Sequence, residues 1–220
     1  MRSWLEVFPL LLETRIARSA AEVRQAQHAR FVAYCEDKAY LDPADYPEEI
    51  ETDEDDARAQ HALVRFRPTG ALLGSVRLIL PPGRFPMERV TGQQLGRLLP
   101  DADRSCIAEI SRLCMTRRYV RSDLAFSVGP EGRRALQLAI LALFRGVIAL
   151  SRAHGITHWC AMMSPAVLRG SRRLGVHLQE VGPSVRFFGT KQPVLGIIDH
   201  VLETMRKERP DLFELALEPL

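Results

Sequence analysis

The spacing of apolar residues changes period several times along this chain. Ser19-Ala20-Ala21-Glu22 reads as a capping box and predicts a helix from Ala20 to about Cys35, with Val23, Ala26, Ala29 and Ala33 at helical spacing. His61 to Arg67 and Leu72 to Leu80 read as two strands joined by the turn Pro68-Thr69-Gly70; Pro81, Pro82, Gly83 and Pro86 end the second. Thr91 to Leu99 reads as a short helix and Ser105 to Met115 as a third strand. Glu131 to His154 predicts a long helix capped by Gly155, with Leu136, Ala139, Ile140, Leu143, Val147 and Leu150 on its apolar face. Thr157 to Met163 reads as a strand and Pro165 to Leu174 as a helix stopped by Gly175. Val176 to Val181 and Val185 to Phe188 read as strands, and His200 to Lys207 as a helix broken before Pro210. Strands alternating with helices predict an α/β fold, a mixed central sheet flanked by helices.

The chain has 220 residues, 46% hydrophobic and 26% charged, enough for a full core. The expectation is one domain over 1–220: N-terminal helices and an acidic loop in 1–60, a sheet core in 61–195 and a C-terminal helical segment in 196–220. Four cysteines, with no Cys-x-x-Cys pair, argue against a zinc ribbon and suit a reduced, cytoplasmic protein. The most apolar stretch, Ala135 to Phe144, ends at Arg145 and is short of the roughly 20 residues that a transmembrane helix needs. Val7 to Leu12 is bracketed by Glu6 and Glu13, which argues against a secretory signal. Met1 to Ala17 suits packing on the domain or peripheral contact with a membrane surface, and packing is preferred.

Charge is placed unevenly. Residues 1–60 hold 7 Lys+Arg against 14 Asp+Glu, whereas 61–220 hold 23 against 13. Eleven carboxylates crowd Glu36 to Asp56, so Asp42 to Asp56 reads as a long acidic loop. A basic second half suits an acidic partner. Without a helix-turn-helix or interleaved aromatics, nucleic acid is not the expected one.

Several charged residues stand out against the hydrophobic pattern. Residues three apart on a regular strand point to opposite faces, so Glu109 and Arg112 share a face only if a bulge intervenes. Such a bulge would also free a backbone N–H for an oxyanion. Arg77 lies among Val76, Leu78, Ile79 and Leu80, where it is costly unless paired, and Asp53, Asp56 and Glu109 are the obvious partners. Cys114 reads as a core residue, since no histidine is placed beside it. The histidines lack metal-ligand spacing, so no metal site is expected.

These spacings resemble those of the acyl-homoserine-lactone (autoinducer) synthases and the related long-chain N-acyl amino acid synthases, and also the acyltransferases of the PEP-CTERM/exosortase system. The matching residues are Arg30, Tyr34 and Tyr40, where the lactone synthases carry Arg, Phe and Trp; Asp53 and Asp56; Arg77 in Gly-Ser-Val-Arg-Leu; and the run Glu109-Ile110-Ser111-Arg112. Tyr34-Cys35-Glu36, Arg-Leu-Ile-Leu-Pro, and Gly182-Pro183 with Gly189 and Pro193 resemble the exosortase-associated branch. The likeness runs over roughly residues 20–195. It implies a GNAT-like (acyl-CoA N-acyltransferase) fold, a catalytic group of Glu109, Ser111 and Arg112, and substrate binding by Arg30, Tyr34, Tyr40, Asp53, Asp56 and Arg77. Tyrosine at both altered positions favours an amino-acid acceptor over a methionine-derived one.

Amide formation from a thioester needs a neutral amine, a base for its proton and a partner for the oxyanion. Glu109 suits the base, acting directly or through water, with no protein nucleophile and no bound cofactor. Ser127-Val128-Gly129-Pro130-Glu131-Gly132 is a poor phosphate cradle. The basic half therefore suits acyl-phosphopantetheine delivered on an acyl carrier protein, docked through Arg117, Arg118, Arg133 and Arg134, with Arg121, Arg172 and Arg173 nearby. A tunnel for the acyl tail would draw on Phe126, Trp159, Met162 and the long helix. Two alternatives stay open: a lactone synthase using S-adenosylmethionine, and a non-catalytic acyl-sensing module.

Overall fold

A computed structural model describes residues 4–116 and 138–220. In chain order the elements are α1 (Trp4–Leu11), β1 (Leu12–Ile16), α2 (Ala20–Phe31), β2 (Ala59–Phe66), β3 (Ala71–Ile79), α3 (Pro86–Thr91), α4 (Leu95–Leu98), β4 (Ile107–Met115), α5 (Ala139–Ala153), β5 (His158–Met163), α6 (Pro165–Arg173), β6 (Gln179–Glu180), β7 (Val185–Arg186), β8 (Thr190–Ile197), α7 (Ile198–Glu208) and α8 (Pro210–Leu217). The strands form one sheet in the order β1-β2-β3-β4-β5-β8-β6, with β7 on β8. Among the described residues only β4 and β5 run parallel; the other pairs are antiparallel.

Helix α5 lies across β1, β2 and β3 and is buried almost all round, the pattern expected of a central helix. Phe8, Leu141, Phe144, Val147 and Trp159 are fully buried in the core on that side. A methyl group on Gly146 would stand 2.4 Å from the Ala62 Cβ, so glycine sets how closely α5 crosses β2. On the opposite face α2 approaches β3 and β4 through Ala26 and Ala29, with Ala33 just beyond its end, which explains the small residues on its apolar side.

Several boundaries differ from the sequence reading. Residues 4–16 form α1 and the edge strand β1, with Phe8 and Leu12 in the core. Predicted as one regular helix to Cys35, α2 passes at Phe31 into a π turn, Val32–Glu36, closed by the Asp37 amide on the Val32 carbonyl (2.8 Å). Pro86 and Pro210, read as breakers, each open a helix at a first-turn position, where a missing N–H costs nothing. Gly92, at φ 71°, then separates α3 from α4, where one helix was expected. Strand β8 was not anticipated; Pro193 serves within it by offering its carbonyl to the Val181 amide. Of Val176 to Val181 only Gln179–Glu180 pair, and of Val185 to Phe188 only Val185–Arg186. Trp159, expected near a tunnel, is a core residue whose Nε1 donates to Ser151 Oγ at 2.8 Å. Phe126, Leu136 and the expected start of the long helix lie outside the described residues.

Candidate active site

The site begins with a register shift. Opposite β3, Ser75 pairs with Cys114 and Arg77 with Ser111, so β4 carries one extra residue between them. That residue is the bulge the Glu109–Arg112 spacing required, and Arg112 takes the left-handed conformation at φ 48°. Ser111 and Arg112 consequently both reach the ion network, Ser111 through Arg77 and Arg112 through Glu51 and Asp53. Glu109 lies two residues before Ser111, on the face opposite Ala108 and Ile110, which enter the α5 core.

Three arginines and three carboxylates interlock above β3 and β4. Arg30, from α2, hydrogen-bonds Glu51 through Nε and Asp56 through both terminal nitrogens (2.6 and 3.1 Å). Arg77 donates to Asp53 (2.5 and 2.9 Å), to Asp56 (2.9 Å) and to Ser111 Oγ (3.2 Å). Arg112 holds Glu51 (2.9 Å) and Asp53 (2.9 Å). Arg30 and Arg77 are 0% exposed, a burial tolerable only because three negative charges balance the three positive ones. The acidic loop delivers those charges. Glu51 is pinned by its amide on the Gln27 carbonyl, and Asp53 caps the 3-10 turn Glu54–Arg58. Burial alone would raise the Asp56 pKa, but hydrogen bonds and charge from Arg30 and the Arg77 charge outweigh it and hold it well below the usual range. Glu51 and Asp53 are held low in the same way. His61 stands 3.7 Å from Asp56; burial and the Arg30 charge bring its pKa down to about 4, so it adds no charge near neutrality.

Glu109 lies outside this interlock. It is 2% exposed and accepts from the Met87 amide at 2.9 Å. Burial, with a smaller push from Asp55, raises its pKa from 4.5 to about 8 against the Met87 hydrogen bond and the Arg77 and Arg89 charges. It therefore carries a proton near neutrality and releases it within physiological reach.

Glu109 opens on a wedge between two strands. Strands β4 and β5 pair only from Ile107↔His158 to Ile110↔Ala161; beyond that β4 follows β3 to Met115 and β5 follows β8 to Met163. Glu109, Ser111, Arg112, Met162, Phe188 and Lys191 are among the residues lining the cleft. Its aromatic wall comes from two distant segments. The π turn brings Tyr34, and the β7–β8 hairpin tip brings Phe187 and Phe188. Tyr34 and Phe188 meet edge to face at 5.6 Å, and the Arg112 guanidinium lies 4.9 Å from the Phe188 ring centre. Tyr40 packs on Tyr34 and Phe188 from outside and is 40% exposed. Phe188 holds φ 49°, an uncommon conformation for an aromatic residue.

The structure thus brings Glu109, Ser111, Arg112 and Tyr34 to one cleft. Asp53 borders a second depression, which shares Arg112 and Phe187 with the cleft, together with Glu54 and Arg89. Arg30 and Arg77, expected to touch substrate, are enclosed and hold the wall instead; Asp56, spent on both of them, does the same. Cys114 is buried, and burial raises its thiol pKa further from thiolate. Phe187, Phe188 and Lys191 were not singled out from the sequence, and Glu51 entered it only as part of the acidic loop, with no role of its own. Gly189, at φ 81°, was the one local signal that a turn carries the Phe-Phe pair. Arg117, Arg118, Arg133, Arg134 and the segment Ser127 to Arg134 lie outside the described residues. Arg172 is exposed and pairs with Glu180. Among the described residues no helix is long and apolar enough to cross a membrane, and no cluster of side chains suits a metal.

A profile of the acetyltransferase (GNAT) domain matches residues 29–128. No curated protein matches the sequence. Among solved structures, the chain is similar to a CoA-dependent acyl-homoserine lactone synthase, BjaI, solved with S-adenosylmethionine and isopentyl-CoA: TM-score 0.60, 16% identity, covering 94% of this chain and 98% of that one. It is also similar to FeeM, an N-acyl amino acid synthase from uncultured soil microbes: TM-score 0.58, 14% identity, 88% and 94% covered. A third is TofI, in a ternary complex with an inhibitor and MTA: TM-score 0.57, 22% identity, 91% and 99% covered. The fold of this chain is GNAT-like.

Proposed function

We propose that this protein is an N-acyltransferase. It moves a long-chain fatty acyl group from an acyl carrier protein thioester to the amine of an amino acid or a similar small acceptor. The observation that carries the reading is Glu109, a buried carboxyl with a pKa of about 8, set at the wedge where β4 leaves β5. An ordinary carboxylate is too weak a base for an amino acid's ammonium, whose pKa lies above that of a peptide amino terminus, whereas the raised value of Glu109 brings it much nearer. The ionised fraction of Glu109 takes a proton from the acceptor's ammonium and the free amine attacks the thioester carbonyl carbon. The carbon–sulfur bond breaks, the nitrogen sheds its second proton as the amide forms, and the thiolate leaves with that proton. The unpaired β4 edge after Ile110 suits a pantetheine arm, whose amides need backbone partners, and backbone N–H groups at the bulge suit the oxyanion. Arg112, fixed by Glu51 and Asp53, keeps the bulge in place.

The first test is mass spectrometry of lipid extracts from cells expressing the chain or its Glu109→Gln variant. A long-chain N-acyl amino acid present only with Glu109 is the expected result. A lactone, with release of methylthioadenosine, would replace this reading with a signal synthase. Purified protein is then assayed for thiol release from acyl carrier protein and CoA thioesters in parallel. Faster turnover of the CoA thioester would reassign the donor. No release from either, by folded protein supplied with amines, would overturn the enzyme reading in favour of a sensor.

A further inference from the structure

We infer that Lys191, acting with Arg112, holds a carboxylate of the acceptor in the cleft, so that the acceptor is an amino acid with its acid group free. This rests on the acyl-transfer reading and names the acceptor class for the same site.

Lys191 sits on β8 beside the hairpin tip, paired across to Val185, and lines the same cleft as Glu109 and Arg112. It is half-buried, and among the described residues no carboxylate lies within ion-pair distance of it. The charges that act on it are Lys38 and Arg112, both of its own sign; with burial, the largest cause, they bring its pKa down to about 8. An uncompensated cation beside two others in a narrowing cleft is unfavourable until an anion enters. In the network behind, the positive and negative charges match one for one, which leaves no spare anion on that side.

The acyl-transfer geometry selects which anion. The phosphate of a phosphopantetheine donor is a whole pantetheine arm away from its thioester. An amino acid's carboxylate is attached to the carbon that bears the attacking nitrogen. Glu109 and Lys191 line one cleft, so an amine addressed to Glu109 puts its own carboxylate, and not the donor phosphate, within reach of Lys191. Lys191 and Arg112 would then bind the acid from two sides, as charge-assisted hydrogen bonds do.

The test uses product-like probes and needs no turnover. N-dodecanoylglycine and N-dodecanoylglycinamide are titrated calorimetrically into the wild type, Lys191→Met and Lys191→Arg, with 4′-phosphopantetheine as a third probe. The methionine keeps the apolar stem, and a thermal melt checks that each variant is folded. The wild type is expected to bind the acid at least about tenfold tighter than the amide. Lys191→Met should lose that preference and Lys191→Arg retain it. Equal binding of acid and amide by the wild type, no binding of either, or an unchanged preference in Lys191→Met would each overturn the inference. So would a Lys191→Met effect confined to 4′-phosphopantetheine. An acid preference that depends on Lys191, found in a protein that transfers no acyl group to any amine, would instead overturn the acyl-transfer reading.

Discussion

Replacing Glu109 with glutamine should change how stability depends on pH, and the change can be sized. The folded protein binds the Glu109 proton with a pKa of about 8, whereas the unfolded chain binds it near 4.5. Because the folded value is raised, the contribution is fully present below pH 4.5 and is lost as pH rises through 8. A rise of that size corresponds to about 5 kcal/mol once the group is fully ionised. Roughly 3 kcal/mol of it disappears between pH 6 and pH 9. Glutamine is close in shape, still accepts from the Met87 amide and does not titrate. The assay is urea unfolding of both proteins at pH 6 and pH 9. The wild type should lose about 1 M or more in midpoint relative to Glu109→Gln across that interval, given a slope of a few kcal/mol/M. Lys191 also titrates near pH 8, but it is present in both proteins and cancels in the difference. If the two midpoints move in parallel, Glu109 is not a buried acid with a raised pKa, and its case as the base fails with it. The same variant should lose between 10²- and 10⁴-fold in turnover, the usual span for a general base.

Three further outcomes are expected. Arg77→Met should destabilise the fold by about 3–5 kcal/mol, since it leaves the half-buried Asp53 and Asp56 beside too few cations; thermal unfolding measures it. Glu51, Asp53 and Asp56 are held below their ordinary values, so their contribution is complete above about pH 5 and drains away as pH falls through the folded values. The melting temperature should accordingly drop between pH 5 and pH 3, less steeply in Arg77→Met. Gly146→Ala should cost about 1–3 kcal/mol by driving a methyl group into Ala62, and Ala62→Gly should recover much of that loss in the double variant.

What the sequence disclosed was what local chemistry decides. The Ser19–Glu22 box forms as read because both of its hydrogen bonds lie within four residues. Arg77 was legible because an arginine among branched apolar residues must find carboxylates, and Asp53 and Asp56 are its partners. The role of Glu51 was not, because within the acidic run nothing local marks it as an arginine partner in its own right. Only the Gln27 carbonyl and two arginines from distant segments draw it inward. Phe187 and Phe188 continued an apolar run and read as strand. Their place at a hairpin tip depends on pairing with β8, which Pro193 concealed. Strand β1 follows directly on an apolar helix, and it is a strand because the β2 edge is there to receive it.

The bulge couples the two halves of the site. Without the extra residue, Arg112 would turn to the α5 face, where only apolar side chains wait, and Glu51 would face Arg30 alone. With it, one guanidinium closes the ion network on one side and lies against Phe188 at the cleft on the other. The left-handed conformation of Arg112 costs of order 1–3 kcal/mol, and that cost is sustained only while Glu51 and Asp53 hold the side chain. A change deep in the network therefore need not touch the cleft to disturb it. Glu51→Gln removes no cleft-lining atom, yet it weakens the grip on Arg112 and frees the bulge to relax. If the bulge positions the reacting groups, Glu51→Gln should lower turnover more than it raises the apparent KM for the donor. An equal effect on both would mean that the network serves stability alone.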